Sequence, residues 1–191
     1  MWNEVRPLAF LVVAVATSIG SIGCTPAAEG EGEGEGEGDV AETPPEGHDA
    51  VEAWIADGHY KSWACEPAGH EARAPSPHGR NRICSNAALS AASTTASYPV
   101  GSAAVKELLD ANDAIIGYAV YRKAVADPSP TDGSNWYWYE RVPPGTVLPT
   151  PDPVQPNGVV ADGRGTSGNP KTVCIDCHSH APNDFVFTQV H

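Results

Sequence analysis

The sequence predicts an α+β fold: an antiparallel β-sheet of four to five strands with a few short helices. Three observations lead there. Short runs of alternating or continuous apolar residues recur between clusters of turn residues, most clearly in the second half of the chain. The connections between several of these runs are too short for parallel crossovers. Gly (19) and Pro (18) are too frequent among 191 residues for a bundle of long helices.

The first 23 residues predict export. Arg6 gives a positive start, an apolar run follows from Leu8 to about Ile19, and small residues lead to Cys24. The run is short of the ~20 apolar residues that a membrane span needs. Residues 1–23 therefore read as a signal peptide, and the mature chain as periplasmic or otherwise extracytoplasmic. Ser21-Ile22-Gly23-Cys24 resembles a bacterial lipobox, with Ser21 where Leu is usual. Cys24 is thus the candidate lipid anchor, and a membrane a candidate partner. Ordinary cleavage nearby, leaving an untethered protein, is the alternative.

Residues 24–47 read as a tether. Glu-Gly repeats five times from Glu29 to Gly38 with no apolar interruption. Glu repels Glu and Gly maximises chain entropy, so the segment is expected to stay extended and disordered. It carries most of the formal charge of −13. Ten acids fall between Cys24 and Glu52, whereas the rest of the mature chain has 13 acids and 10 bases, a net of −3. An acidic chain of this kind is a poor partner for nucleic acid.

Residues 48–191 read as the folded domain. Asp49 with Glu52 predicts a capping box for a helix over 50–57, with Val51, Trp54 and Ile55 on one face and Gly58 as the stop. A strand is expected over 80–85 and a small Ala/Ser-rich helix over 87–92. Residues 103–109 read as the next strand, and Asp110 to Asp113 as a turn. Residues 115–125 give a long strand. In 135–142, Trp136 and Trp138 alternate with Tyr137 and Tyr139, the most strand-like pattern in the chain. Nine prolines fall between Pro128 and Pro170, so 143–156 is expected to be an irregular loop. Residues 185–190 read as a last short strand.

The other four cysteines divide into two pairs. Cys174-Ile-Asp-Cys177-His178 has the Cys-x-x-Cys-His spacing of c-type haem attachment. In that chemistry each thiol adds to a haem vinyl group, and the His that follows becomes the proximal iron ligand. Cys65 and Cys84 remain, and in an oxidising compartment their simplest fate is a disulfide. A zinc site recruiting His180 or His191 and a redox dithiol compete for Cys174–His178. The only Met is Met1, so the mature chain has no methionine to ligate iron. The iron would then be open on its distal face, or bound by a second histidine from among His70, His78, His180 and His191. The second arrangement is that of a bis-His electron-transfer cytochrome.

Five segments together resemble the cytochrome P-460 family, whose fold is shared with cytochrome c′-beta. They are Gly79-Arg-Asn-Arg82-Ile-Cys-Ser-Asn86, Tyr98 to Leu108 with Val-Lys106-Glu-Leu, Trp136-Tyr-Trp138-Tyr, Cys174–His178, and Asp184-Phe-Val-Phe187-Thr188. The resemblance covers about residues 79–190. It implies an antiparallel sheet carrying one covalent haem c, a vacant distal site for a small nitrogenous ligand such as hydroxylamine or nitric oxide, a redox partner protein, and often a homodimer. It also implies a lysine linked to the porphyrin edge, here Lys106, and an arginine in the distal pocket, here Arg82. Hydroxylamine-oxidising members place a carboxylate above the iron, and the matching position falls near Ala119. The strand 115–125 contains no Asp or Glu, so oxidoreductase activity is left open. Asp113 and Asp127 are the substitutes in reach, and Phe185 and Phe187 are expected in the pocket or the core, with the core preferred.

Overall fold

The computed structural model describes residues 43–74, 76–126, 132–147, 154–165 and 174–191. The expected signal peptide, Cys24 and the Glu-Gly repeat lie outside the described residues, as do Asp127 and the middle of the 143–156 loop.

Six strands form one antiparallel sheet in sequence order. They are β1 (Ala64–Cys65), β2 (Asn81–Ser85), β3 (Ala103–Leu109), β4 (Ile115–Lys123), β5 (Trp136–Arg141) and β6 (Val159–Arg164). The helices are short: α1 (His48–Ala56), α2 (Ala87–Ser90) and α3 (Asp176–His178), with a 3-10 turn at His59–Ser62. The sheet exceeds the expected four to five strands because neither the two-residue β1 nor β6 was foreseen, while the strand expected at 185–190 is not part of it. The order is a plain meander, as short antiparallel connections require.

Both faces of the sheet are buried. On one, Val105, Val120, Tyr137 and Tyr139 pack against Val51, Trp54 and Ile55 of α1 and against Tyr60. On the other, Ile83, Ala104, Tyr121, Trp136 and Trp138 pack against Leu89, Ile175 and Val186. The period of two thus separates the Trp pair of β5 from its Tyr pair, each into its own core.

Helix α1 starts at His48, two residues before the expected start, and the capping box does not form. Its N-cap is Gly47, with φ 92° and no side-chain cap. The first backbone N–H groups go to the sheet instead. Gly47 N donates to Tyr137 Oη (2.9 Å) and His48 N to Asp162 Oδ2 (2.9 Å). Glu52 is drawn the same way, accepting from Tyr139 Oη and from Arg141 Nε (2.7 Å). The folded body also begins earlier than residue 48: Pro44 is buried, and Glu46 pairs with Arg122 and Arg164.

Residues 185–190 do not form a strand. Asp184 and Phe185 have φ of 39° and 65°, which turns the chain, and only an isolated bridge joins Asn183 to Val186. The tail is held by side chains. Gln189 Nε2 donates to the carbonyls of Leu89 (2.6 Å), Ser90 (3.1 Å) and Ala92 (2.8 Å) at and just beyond the end of α2.

Candidate functional site

The register of the sheet lays one row of residues across five strands. Ile83 pairs with Lys106, Lys106 with Ala119, Ala119 with Glu140, and Glu140 with Ala161. Residues paired directly across a sheet share a face. Lys106 and Glu140 therefore stand on one face, two strand spacings apart (about 10 Å), with only the methyl group of Ala119 between them. Ile83 and Lys106 of this row line a cleft of about 220 Å³. A smaller cavity beside it, about 20 Å³, shares His78, Lys106, Tyr121 and His178 with it and is also lined by Ala119, Trp138, Glu140 and Cys174. The loop between β1 and β2 forms one wall of the cleft, with His70, Arg73, Pro77 and His78. Cys177, His178, Phe187 and Thr188 form another.

Cys174, Cys177 and His178 come together at this cleft. Neither cysteine is in a disulfide, and Cys174 is buried. Burial pushes the Cys174 thiol well above its ordinary pKa, and Glu140 adds to the effect. His178 is packed among Trp138 (centroids 4.7 Å), Phe187 (5.4 Å) and Tyr121 (5.8 Å). Its Nδ1 lies 2.6 Å from the Phe185 carbonyl oxygen. A carbonyl only accepts, so Nδ1 carries the proton and Nε2 keeps its lone pair. Burial drives the pKa of His178 down to about 3, although the Phe185 carbonyl pulls the other way. The ring is neutral at any physiological pH, the state in which imidazole binds metals.

Lys106 lines the same cleft. Burial lowers its ammonium pKa to about 8, with Glu140 partly opposing the shift. Glu140 itself is 5% exposed and accepts from His78 Nδ1 at 3.3 Å. It stands on β5 at the residue directly opposite Ala119. Asp113, by contrast, is engaged elsewhere by Arg80.

Arg82 is not at this site. Lys106 pairs with Ile83, so Arg82, one residue earlier, faces the α1 side. There its Nε donates to Glu107 Oε2 (2.7 Å), and Tyr60 Oη donates to Glu107 Oε1 (2.8 Å). The guanidinium at the cleft belongs to Arg73, bonded to Glu66 (2.7 Å). Phe187 is 39% exposed on the cleft wall rather than in the core. Phe185 is partly buried against the core, as expected.

Cys65 and Cys84 form a disulfide between directly paired residues of β1 and β2. Of the four histidines considered as second ligands, His70 has both ring nitrogens engaged, by Glu66 (2.9 Å) and the Glu71 carbonyl (2.7 Å). His180 and His191 are exposed and bond to backbone carbonyls. His78 lines the cleft with Nδ1 turned to Glu140. Among the described residues, no group of three or more His, Cys, Asp or Glu could hold a metal ion alone. A structural zinc would need such a group.

Compared with known proteins, the chain matches no family model, no curated protein and no solved structure.

Proposed function

We propose that the chain is an exported monohaem c-type cytochrome of the P-460 kind, binding small nitrogen species such as hydroxylamine or nitric oxide. One observation carries the reading. Cys174, Cys177 and a neutral His178 meet at an aromatic-walled cleft, with the imidazole already oriented by its second nitrogen. This donor set fits a covalently held haem: two thiols at the attachment spacing and one nitrogen with an available lone pair. Bound there, the haem would supply an iron centre able to take a small ligand and exchange an electron.

The chain's own groups then have definite roles. Cys174 and Cys177 hold the haem and His178 ligates it. Lys106 is the candidate for a link to the porphyrin edge. Its lowered pKa gives it a sizeable neutral fraction near pH 8, and a neutral amine is nucleophilic. Glu140 is the base at this site. It can take a proton from a bound nitrogen species, and the hydrogen bond donated by His78 Nδ1 orients its carboxylate. Arg73, which lines the cleft, is the guanidinium available to a bound ligand in place of Arg82. A tether through Cys24, an extracytoplasmic location, a redox partner protein and a homodimer belong to the same reading. The Cys65–Cys84 disulfide suits an oxidising compartment.

One observation favours a bis-His electron-transfer cytochrome instead: His78 lines the cleft with Nδ1 anchored, as His178 does. Optical spectra of the ferrous protein, made with haem attachment and export, separate the two. A carbon monoxide-induced shift is expected for the open site. A sharp six-coordinate spectrum that ignores carbon monoxide would establish the bis-His form, and no visible band would end both readings. A pyridine haemochrome displaced from the ordinary c-type position is expected if Lys106 is linked, and hydroxylamine turnover tests the role of Glu140.

A further inference from the structure

The carbonyl that holds His178 sits on a strained turn. Asp184 and Phe185 occupy φ of 39° and 65°, a region that non-glycine residues seldom adopt. Such geometry persists only where the surroundings impose it. Here a buried polar knot does so. The Asp184 carboxylate accepts from Lys123 Nζ (2.7 and 2.9 Å), Trp136 Nε1 (3.2 Å) and Asn135 Nδ2 (3.3 Å). Tyr98 N (2.9 Å) and Ser97 Oγ (3.0 Å) donate to it as well. The Lys123 side chain is 0% exposed and that of Asp184 9%. Burial alone would raise the Asp184 pKa, but Lys123, the Tyr98 amide and Trp136 outweigh it and keep the carboxylate below its ordinary value. Lys123 ends β4 and Trp136 begins β5, so the carboxylate is tied to two neighbouring strands. The next residue delivers its carbonyl to His178.

We propose that Asp184, clamped by Lys123, is the positioning residue for His178: it fixes the turn that aims the Phe185 carbonyl at Nδ1, and so presents Nε2 to the cleft. Helix α3 is only three residues long and cannot fix a ring orientation by itself. Histidines that bind metals nearly always donate their other N–H to such a partner, which sets the tautomer and raises the basicity of the ligating nitrogen. The consequence for iron rests on the haem reading; the control of the tautomer does not.

Nitrogen NMR of the full mature chain, with and without attached haem, tests both parts. In the haem-free wild type, His178 is expected as the Nδ1–H tautomer. Asp184→Asn should move it toward the Nε2–H form that free imidazole prefers. Trp136→Phe, which removes a single donor, should move it less, and serves if Asp184→Asn does not fold. In the haem-loaded protein, Asp184→Asn should lower the iron–histidine stretching frequency and raise the reduction potential. Glu107→Gln disturbs a buried pair on the opposite face, and should lower thermal stability without moving either signal. Folded Asp184→Asn or Trp136→Phe protein that keeps the wild-type tautomer overturns the inference. So does Glu107→Gln shifting it equally. A wild type without haem but with the expected tautomer shifts defeats the functional reading alone.

Discussion

Burial sets the chemistry of single residues here, and Lys106 is the clearest case. A fall from its ordinary 10.5 to about 8 corresponds to roughly 3 kcal/mol, at about 1.4 kcal/mol for each factor of ten in acidity. The sign follows from linkage. Below pH 8 the folded and unfolded chains both carry the charge, and the folded one bears the whole cost of burying it. That cost shrinks as the folded lysine loses its proton from about pH 8 upward, and is gone above 10.5, where both forms are neutral. Lys106→Met is therefore expected to stabilise the haem-free chain by about 2–3 kcal/mol at pH 7, and by much less at pH 10. Urea denaturation at the two values checks it, and an equal gain at both would dissociate the effect from the ammonium. Cys174, Cys177 and His178 were legible in the sequence because their spacing is itself the signal. Glu140 was not, since nothing local distinguishes it from other acids. Only the β4–β5 register brings it opposite Ala119. Arg82 was misplaced for the complementary reason: a matched motif locates a residue along a strand, while the pleat decides its face.

At the scale of elements, continuous or alternating apolar runs were enough for β2 to β5. Strand β6 escaped because Val159, Val160 and Ala161 give way to Asp162-Gly163-Arg164, a sequence that reads as a turn. The signal that could have found it is Asn157-Gly158 just before, a dipeptide that favours tight turns. Gly158 has φ 86°, and a β-carbon there would lie 2.1 Å from the Val142 carbonyl oxygen, which accepts no such approach. The Gly158 carbonyl in turn receives Val142 N at 3.0 Å. Gly158→Ala should thus destabilise the protein by at least ~1–3 kcal/mol and unzip β6 first. A lower melting temperature, with hydrogen exchange accelerated in 159–164 before β3 and β4, is the expected record. A melting temperature equal to wild type would mean that the turn is not strained. Helix α1 shows the opposite lesson. Its periodicity located it, but its start was set by Tyr137 and Asp162, far away in sequence.

In the folded domain both faces of the sheet are packed with apolar residues, and one of them also carries the cleft. The cleft wall containing His70, Arg73 and His78 lies in the loop closed by Cys65–Cys84, which spans a separation of 19 residues. Closing a loop of that size stabilises a fold by about 3 kcal/mol. Replacing both cysteines by serine should lower stability by about that amount, and should raise hydrogen exchange in 66–80 while β4 and β5 stay protected. Unchanged protection in 66–80 would show that the wall stands without its clasp. The pleat of β3 carries a different implication. Neighbours Lys106 and Glu107 bear opposite charges and are sent to opposite faces, one to the face of Glu140 and the other bonded to Arg82. Sliding β3 by one position would seat ammonium beside guanidinium and put two carboxylates together on the cleft side. The paired carboxylates would be buried, since Glu107 and Glu140 are 2% and 5% exposed, while the paired cations would be only partly relieved by the 35% exposure of the Arg82 side chain. The strand thus acts as its own proofreader. A single residue inserted within β3 should therefore scramble both faces at once, whereas one added to the exposed 93–95 stretch of the connection before it should be absorbed.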